Sequence, residues 1–285
     1  MIDLVAFDLD GTILDHSGRP APSALTAIRA LVERNIPIAS VSGRSIRRSL
    51  QPLSAHQDFT PRMHVCGYNG AAGVGPLANG HRPLLYARRL PADVLGELVD
   101  YTCEQGLNLV YCRCDEESDG LVEEYHFLRD IAGKQTAIDW AGSGYVHDPR
   151  LIERIRSNEL GPPPKIMLFA EPDRQEQTLA ELHERFDGRV YVAWAIRELL
   201  EIMPPGVDKG VALQALSQAT GVPLERIMAI GDGNNDLPML QQAGLGLLMG
   251  SADPEVRQAI AGTAVRLAHP FAEDGFARAV QEYVL

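Results

Sequence analysis

Leu4-Val5-Ala6-Phe7-Asp8-Leu9-Asp10-Gly11-Thr12 is a short apolar run that ends in two carboxylates one residue apart, followed by Gly-Thr. Such a run predicts a buried strand that delivers charge to its carboxyl end, the edge at which ligands bind in open α/β sheets. Alternation along an extended chain puts Asp8 and Asp10 on the same side. Two carboxylates about 4 Å apart repel by about 4 kcal/mol at an effective dielectric of about 20, so a cation, a proton or both must offset them. A plain Asx-type turn after a strand would use the same residues, and the rest of the chain decides between the two.

Working outward, Pro22 and Ser23 open an amphipathic helix through Leu25, Ile28 and Leu31 that stops at Asn35. Residues 36–41 form a second strand, and Ser42-Gly43-Arg44-Ser45 lies between it and a short helix to Leu53. A hydroxyl and backbone N–H groups at a helix start make an anion site, or equally an ordinary N-cap. His64-Val65-Cys66 is a third strand, and Tyr68-Asn69-Gly70 is either a tight turn or a place where Asn69 faces a substrate. From about Leu84 the pattern changes. Helices over 91–105 and 174–186 and strands over 107–112, 165–169, 190–194 and 199–203 mix without strict alternation, which predicts an inserted α+β domain. Within it, Asp115 to Asp130 carries acidic residues at 115, 116, 117, 119, 123, 124 and 130, read as a solvated face or loop. Pro204-Pro205-Gly206 is a stiff exit. The βα alternation then resumes with a helix from Lys209, a buried strand over 227–230, Gly231-Asp232-Gly233-Asn234-Asn235-Asp236, and helix, strand, helix, short strand (263–267) and helix to 284.

Asp232 and Asp236 follow a strand just as Asp8 and Asp10 do. If the two strands are neighbours, four carboxylates crowd one edge, and a hard cation with oxygen ligands, most plausibly Mg²⁺, relieves the repulsion. An EF-hand is excluded, because its required Gly and Glu would fall on Leu237 and Ala243. Gly244-x-Gly246 fails as a dinucleotide fingerprint because it enters a strand. Lys209 at a helix start is either a surface lysine or a cation set against an anion.

The 285 residues, 45% hydrophobic and 22% charged, predict a globular protein of one large domain or two unequal ones. A net charge of −12 argues against a general nucleic-acid binder and against anionic membranes. The absence of a long apolar run and of a basic leader predicts a cytoplasmic protein. Four cysteines predict reduced thiols, with Cys112-x-Cys114 too close for a zinc pair.

Asp8-x-Asp10-Gly-Thr, Ser42-Gly-Arg44, Lys209-Gly and Gly-Asp232-Gly-x-Asn235-Asp236, in that order, resemble the haloacid dehalogenase superfamily. The insertion, Asn69-Gly70 and the closing Glu273-Asp274-Gly275 resemble its Cof-like phosphatases with a type IIB cap. Ser42 stands where Thr is commoner in the family, and Asn234 where an acidic residue is frequent. The resemblance implies a Rossmann-like doubly wound parallel core over 1–83 and 205–285, with an inserted α+β cap (type C2B) over 84–204 that closes as a lid and selects the substrate. It implies that Asp8 is the nucleophile forming an aspartyl-phosphate and that Asp10 is the general acid and then the base. Mg²⁺ would be held by the Asp8 carboxylate, the Asp10 carbonyl and Asp232, with Asp236 close by. Ser42, Gly43, Arg44, Lys209 and Asn235 would hold the phosphoryl group. Related ion pumps carry Thr at the position of Asp10, and Asp there suits turnover. The expected activity is a Mg²⁺-dependent phosphatase for small phosphorylated metabolites such as sugar phosphates, acting as a monomer or homodimer. A phosphosugar mutase and an idle phosphometabolite-binding regulator are the alternatives.

Overall fold

The computed structural model describes residues 1–118, 120–130, 144–196 and 199–285. Two compact units emerge, one from residues 1–86 and 208–285 and the other from residues 87–207. No described helix is long and apolar enough to cross a membrane.

In chain order the first unit begins with β1 (Leu4–Phe7), α1 (Pro22–Glu33), β2 (Ile38–Val41), α2 (Ile46–Leu50), β3 (His64–Gly67), β4 (Ala72–Val74) and β5 (Leu84–Ala87). The second holds α3 (Ala92–Gln105), β6 (Asn108–Glu117), β7 (Gly120–Phe127), β8 (Tyr145–His147), α4 (Leu151–Arg156), β9 (Lys165–Phe169), α5 (Gln175–Phe186), β10 (Tyr191–Ile196) and β11 (Leu199–Met203). The first unit resumes with α6 (Lys209–Thr220), β12 (Ile227–Gly231), α7 (Leu237–Gln242), β13 (Leu245–Leu248), α8 (Pro254–Ala259), β14 (Arg266–Leu267) and α9 (Gly275–Tyr283).

The first unit's sheet has the order β14-β13-β12-β1-β2-β3-β4-β5. Strands β14 to β3 run parallel, and β4 joins β3 antiparallel. Helices cover both faces. Leu4 and Ala6 pack with Leu213, Leu216 and Leu240 of α6 and α7, whereas the Phe7 ring meets Phe276 of α9 edge-on at 5.4 Å. Every residue of β1 and β12 is therefore buried, which is why both read as unbroken apolar runs and not as alternating ones. From β1 the chain builds the sheet in one direction through β2 and β3, and from β12 in the other through β13 and β14. The order reverses between β1 and β12, at the switch point where doubly wound sheets bind ligands.

The second unit is a sheet of order β10-β11-β9-β6-β7-β8, antiparallel except for the β7–β8 pair. One face packs on α3, α4 and α5 through Leu98, Leu109, Tyr111, Ile166, Leu168 and Leu182. The acidic stretch here needs correction. Residues 115–117 end β6 and 120–127 form β7, so most of it is a hairpin and not a loop, with the expected solvated face only at its exposed end, Glu116 and Glu117. Its carboxylates are tolerated in strands because cations face them. Arg113 pairs with Asp115, Glu117 and Glu124, Arg89 pairs with Asp115, and Glu123 is buried. Asp119 lies outside the described residues. Strand β8 and helix α4 are additions that the sequence pattern did not announce. Cys66, Cys112 and Cys114 are buried free thiols, and Cys103 is an exposed one.

Candidate active site at the carboxyl ends of β1 and β12

The pairing of Phe7 with Ile230, continued by the bond from Asp8 N to the Ile230 carbonyl at 2.9 Å, sets the carboxyl ends of β1 and β12 side by side. Asp8 follows the first strand directly and Asp232 the second. Asp8, Asp232 and Asp236 each offer a carboxylate oxygen, and these oxygens all lie within 4.8 Å of one another. Among the described residues this is the one acidic, Cys or His group with such spacing.

Two glycines make room for it. A Cβ on Gly11, whose φ is +72°, would lie 1.9 Å from Asp232 Oδ2, and one on Gly231 would lie 2.3 Å from Asp236 Cγ. Asp236 is wholly buried, and its oxygens are committed. Oδ2 accepts from the backbone N–H groups of Asp232 (2.9 Å) and Gly233 (2.8 Å), and Oδ1 accepts from Lys209 Nζ at 2.5 Å. That ammonium also donates to Asp8 Oδ1 at 2.6 Å. Lys209 is carried in by α6, whose first turn is capped by Asp208 Oδ1 accepting from Val211 N at 2.9 Å. Lys209 is thus buried between two carboxylates and is no surface lysine.

Burial disfavours charge here and the charges answer one another. Burial pushes the Asp8 carboxyl up to about 7, since the pull of Lys209 only partly offsets it and Asp236 and Asp232 add repulsion. Burial and the neighbouring Asp236 raise Asp232 to about 6. Burial alone would lower Lys209, but Asp8 and Asp236 outweigh it and hold the ammonium charged.

Asp10 and Arg44 form a second group. Asp10 lies beyond β1, and its oxygens accept from Arg44 Nε (2.8 Å) and Nη2 (2.5 Å) in a two-pronged pair. Ser42 is buried. Its N–H extends the β2–β3 ladder to the Cys66 carbonyl, and its Oγ accepts from Arg44 N at 3.2 Å. The helix that follows starts only at Ile46 and is capped by Ser45, so Ser42 and Gly43 sit in a loop ahead of the helix terminus. Bonded to this loop through Tyr68 N to the Arg44 carbonyl (2.8 Å) and Asn69 N to the Ser42 carbonyl (3.1 Å), Tyr68, Asn69 and Gly70 all have positive φ (55°, 52° and 97°), a strained turn that presents the Asn69 side chain. Asn69 Oδ1 accepts from Asn235 Nδ2 at 3.2 Å. Sequence reasoning named Asp8, Asp10, Ser42, Gly43, Arg44, Lys209, Asp232, Asn235 and Asp236. It did not foresee that Arg44 meets Asp10, or that Gly11 and Gly231 are the space in which two of the carboxylates lie.

A model of the haloacid dehalogenase-like hydrolase family matches residues 5–276. The chain is 30% identical over 287 residues to the 5-amino-6-(5-phospho-D-ribitylamino)uracil phosphatase YitU of Bacillus subtilis (strain 168), covering 98% of this chain and 97% of that protein. It is 27% identical over 256 residues to the HMP-PP phosphatase of Cronobacter sakazakii, covering 90% of this chain and 87% of that protein. A crystal structure from Thermotoga maritima superposes with a TM-score of 0.82 at 23% identity, over 100% of this chain and 98% of that one, a likeness of fold.

Proposed function

The chain belongs to the haloacid dehalogenase-like hydrolase family, and on that premise we propose that it is a Mg²⁺-dependent phosphatase of small phosphorylated metabolites, sugar phosphates or similar monoesters, working through an aspartyl-phosphate on Asp8. The observation that carries this is the buried Asp8–Lys209–Asp236 cluster, with Asp232 beside it, at the switch point of the sheet. The names of both relatives, phosphatases, support the same chemistry.

The donor set fits a hard divalent cation, since it is all oxygen and anionic, and burial raises two of its members in a way that a nearby positive charge would reverse. Asp8, Asp232 and the Asp10 carbonyl would hold the ion, while Asp236, whose oxygens are taken, would steady the turn that carries Asp232. When bound, the ion would draw charge from the phosphoryl oxygens and neutralise the carboxylates.

The remaining work falls to the chain. Asp8 attacks phosphorus with one carboxylate oxygen while the ester P–O bond breaks, and Asp10 gives a proton to the departing oxygen. Lys209 balances the charge on Asp8 and the phosphoryl group, and Ser42, Gly43 and Asn235 donate to phosphoryl oxygens. Asp10 then takes a proton from water, which attacks phosphorus, releases phosphate and restores Asp8. The unit over 87–207 is proposed as the cap that excludes water and selects the leaving group. Phosphate release from p-nitrophenyl phosphate should require Mg²⁺, stop with EDTA, and vanish in Asp8→Asn while phosphate binding persists. Turnover at the unsubstituted rate in Asp8→Asn would refute the assignment.

A further inference from the structure

Arg44 stands in the motif expected to hold the phosphoryl group, yet its guanidinium is spent on Asp10. Nε and Nη2 each take one oxygen of that carboxylate. The two side chains are unequally buried. Arg44 has its backbone held at both ends, its N–H on Ser42 Oγ and its carbonyl accepting from Tyr68 N at 2.8 Å. The fit is tight enough that a Cβ on Gly67 would come within 2.8 Å of the Arg44 carbonyl oxygen. Asp10 lies past the end of β1 in a turn whose backbone is also tied, by Gly11 N to the Leu14 carbonyl (3.0 Å) and Leu14 N to the Leu9 carbonyl (2.8 Å), but its side chain is 56% exposed against 21% for Arg44. Its side chain projects toward solvent, and the rigid planar fork of Arg44, with one nitrogen on each oxygen, holds the carboxylate in one orientation.

We propose that Arg44 is a positioning residue for proton transfer, fixing the Asp10 carboxyl toward the leaving oxygen, and is not a ligand of the phosphoryl group. The inference rests on the proposed role of Asp10. Each Asp10 oxygen spends one lone pair on Arg44 and keeps another on which the transferred proton can sit. As Asp8 bonds to phosphorus and the ester bond breaks, that proton passes to the departing oxygen. A carboxyl free to rotate would seldom be aligned when it is needed.

Leaving groups separate the two roles. An alkoxide needs the proton, whereas p-nitrophenolate leaves almost without it. General acid catalysis contributes about 10²–10⁴-fold, so Arg44→Ala should lower kcat/KM for glycerol 2-phosphate by about 10–100-fold, mostly in kcat. The loss with p-nitrophenyl phosphate should be at least about 5-fold smaller. Arg44→Lys, which keeps the charge and loses the fork, should fall between and serves if the alanine variant folds poorly, as thermal melting would reveal. Asp10→Asn should show the same split, and adding Arg44→Ala to it should cost nothing more. Equal losses on both esters, or losses that add in the double variant, would overturn the proposal and return Arg44 to phosphate binding. Failure of the unsubstituted protein to release phosphate in an Asp8-dependent way would instead sink the phosphatase assignment, so the two failures are distinct.

Discussion

Gly11 is where backbone conformation and charge placement meet. Its φ of +72° is a region in which an L side chain costs about 1–2 kcal/mol, and the missing Cβ is the space filled by Asp232 Oδ2. An alanine there must either move its own loop or push Asp232 off the cluster with Asp8. A displacement of about 1 Å at a reacting centre can cost about 100-fold in rate. Gly11→Ala should therefore lower phosphate release by about that factor and raise the Mg²⁺ concentration needed for half-maximal rate. Unchanged Mg²⁺ dependence in this variant would show that Asp232 is not placed by the contact. The glycine was visible in the sequence as a turn residue, but the carboxylate it makes room for arrives from the far end of the chain. Spacing announces a carboxylate at a strand end, not the atom it lies against. The same limit hid the Arg44–Asp10 pair, which two neighbouring strand ends create and no local pattern reveals.

Among the elements, legibility followed burial. Strands β1 and β12 are covered on both faces, so their apolar runs announced them, as did the periodic helices α1 and α3. The hairpin of β6 and β7 was obscured because its exposed end is acidic, and a run of carboxylates reads as solvated until Arg113 and Arg89 are placed against it. A small knot in the same unit, also unannounced, ties β7 to α4. Asp148, buried, takes its N–H to the Phe127 carbonyl, and its carboxylate receives Arg150 N, Arg154 Nη1 and His126 Nδ1. His126 also reaches Glu124 at 3.0 Å through its other nitrogen. Burial alone would raise the Asp148 carboxyl, but His126 and Arg154 outweigh it and hold it below the usual carboxylate range. A depressed folded value means stability that is present above the unfolded value and lost as pH falls through the folded one. Asp148→Asn should thus cost about 1–3 kcal/mol in denaturant unfolding at pH 7. The two proteins should converge as pH falls below the ordinary carboxylate value of about 4. An equal gap above and below that value would mean that the cost is packing and not charge.

On the scale of the whole molecule, the site depends on the strand pairing that joins the most distant parts of the sequence among the described residues. Leu4 pairs with Ile227 and Phe7 with Ile230, so the first strand waits for a partner near the other end of the sequence. The unit over 87–207, in contrast, is contiguous, and its pairs are closer in sequence, Val110 with Phe127 and Asn108 with Phe169 among them. Closing a loop costs entropy that grows with its length, and folding slows as contacts become less local. The inserted unit also has its own apolar core to reward early assembly. Once folded, it replaces a long flexible segment between β5 and α6 with a compact body, shortening the disordered path that β1 and β12 must close. Pulse-labelled hydrogen exchange during refolding should accordingly find amides of 109–114 and 121–127 protected before those of 4–7 and 227–231. The carboxylate cluster, which needs both strand ends, should gain Mg²⁺ affinity only with the later phase. Protection of β1 and β12 first would mean that the sheet of the first unit nucleates across the unfolded insertion, against the loop-closure argument.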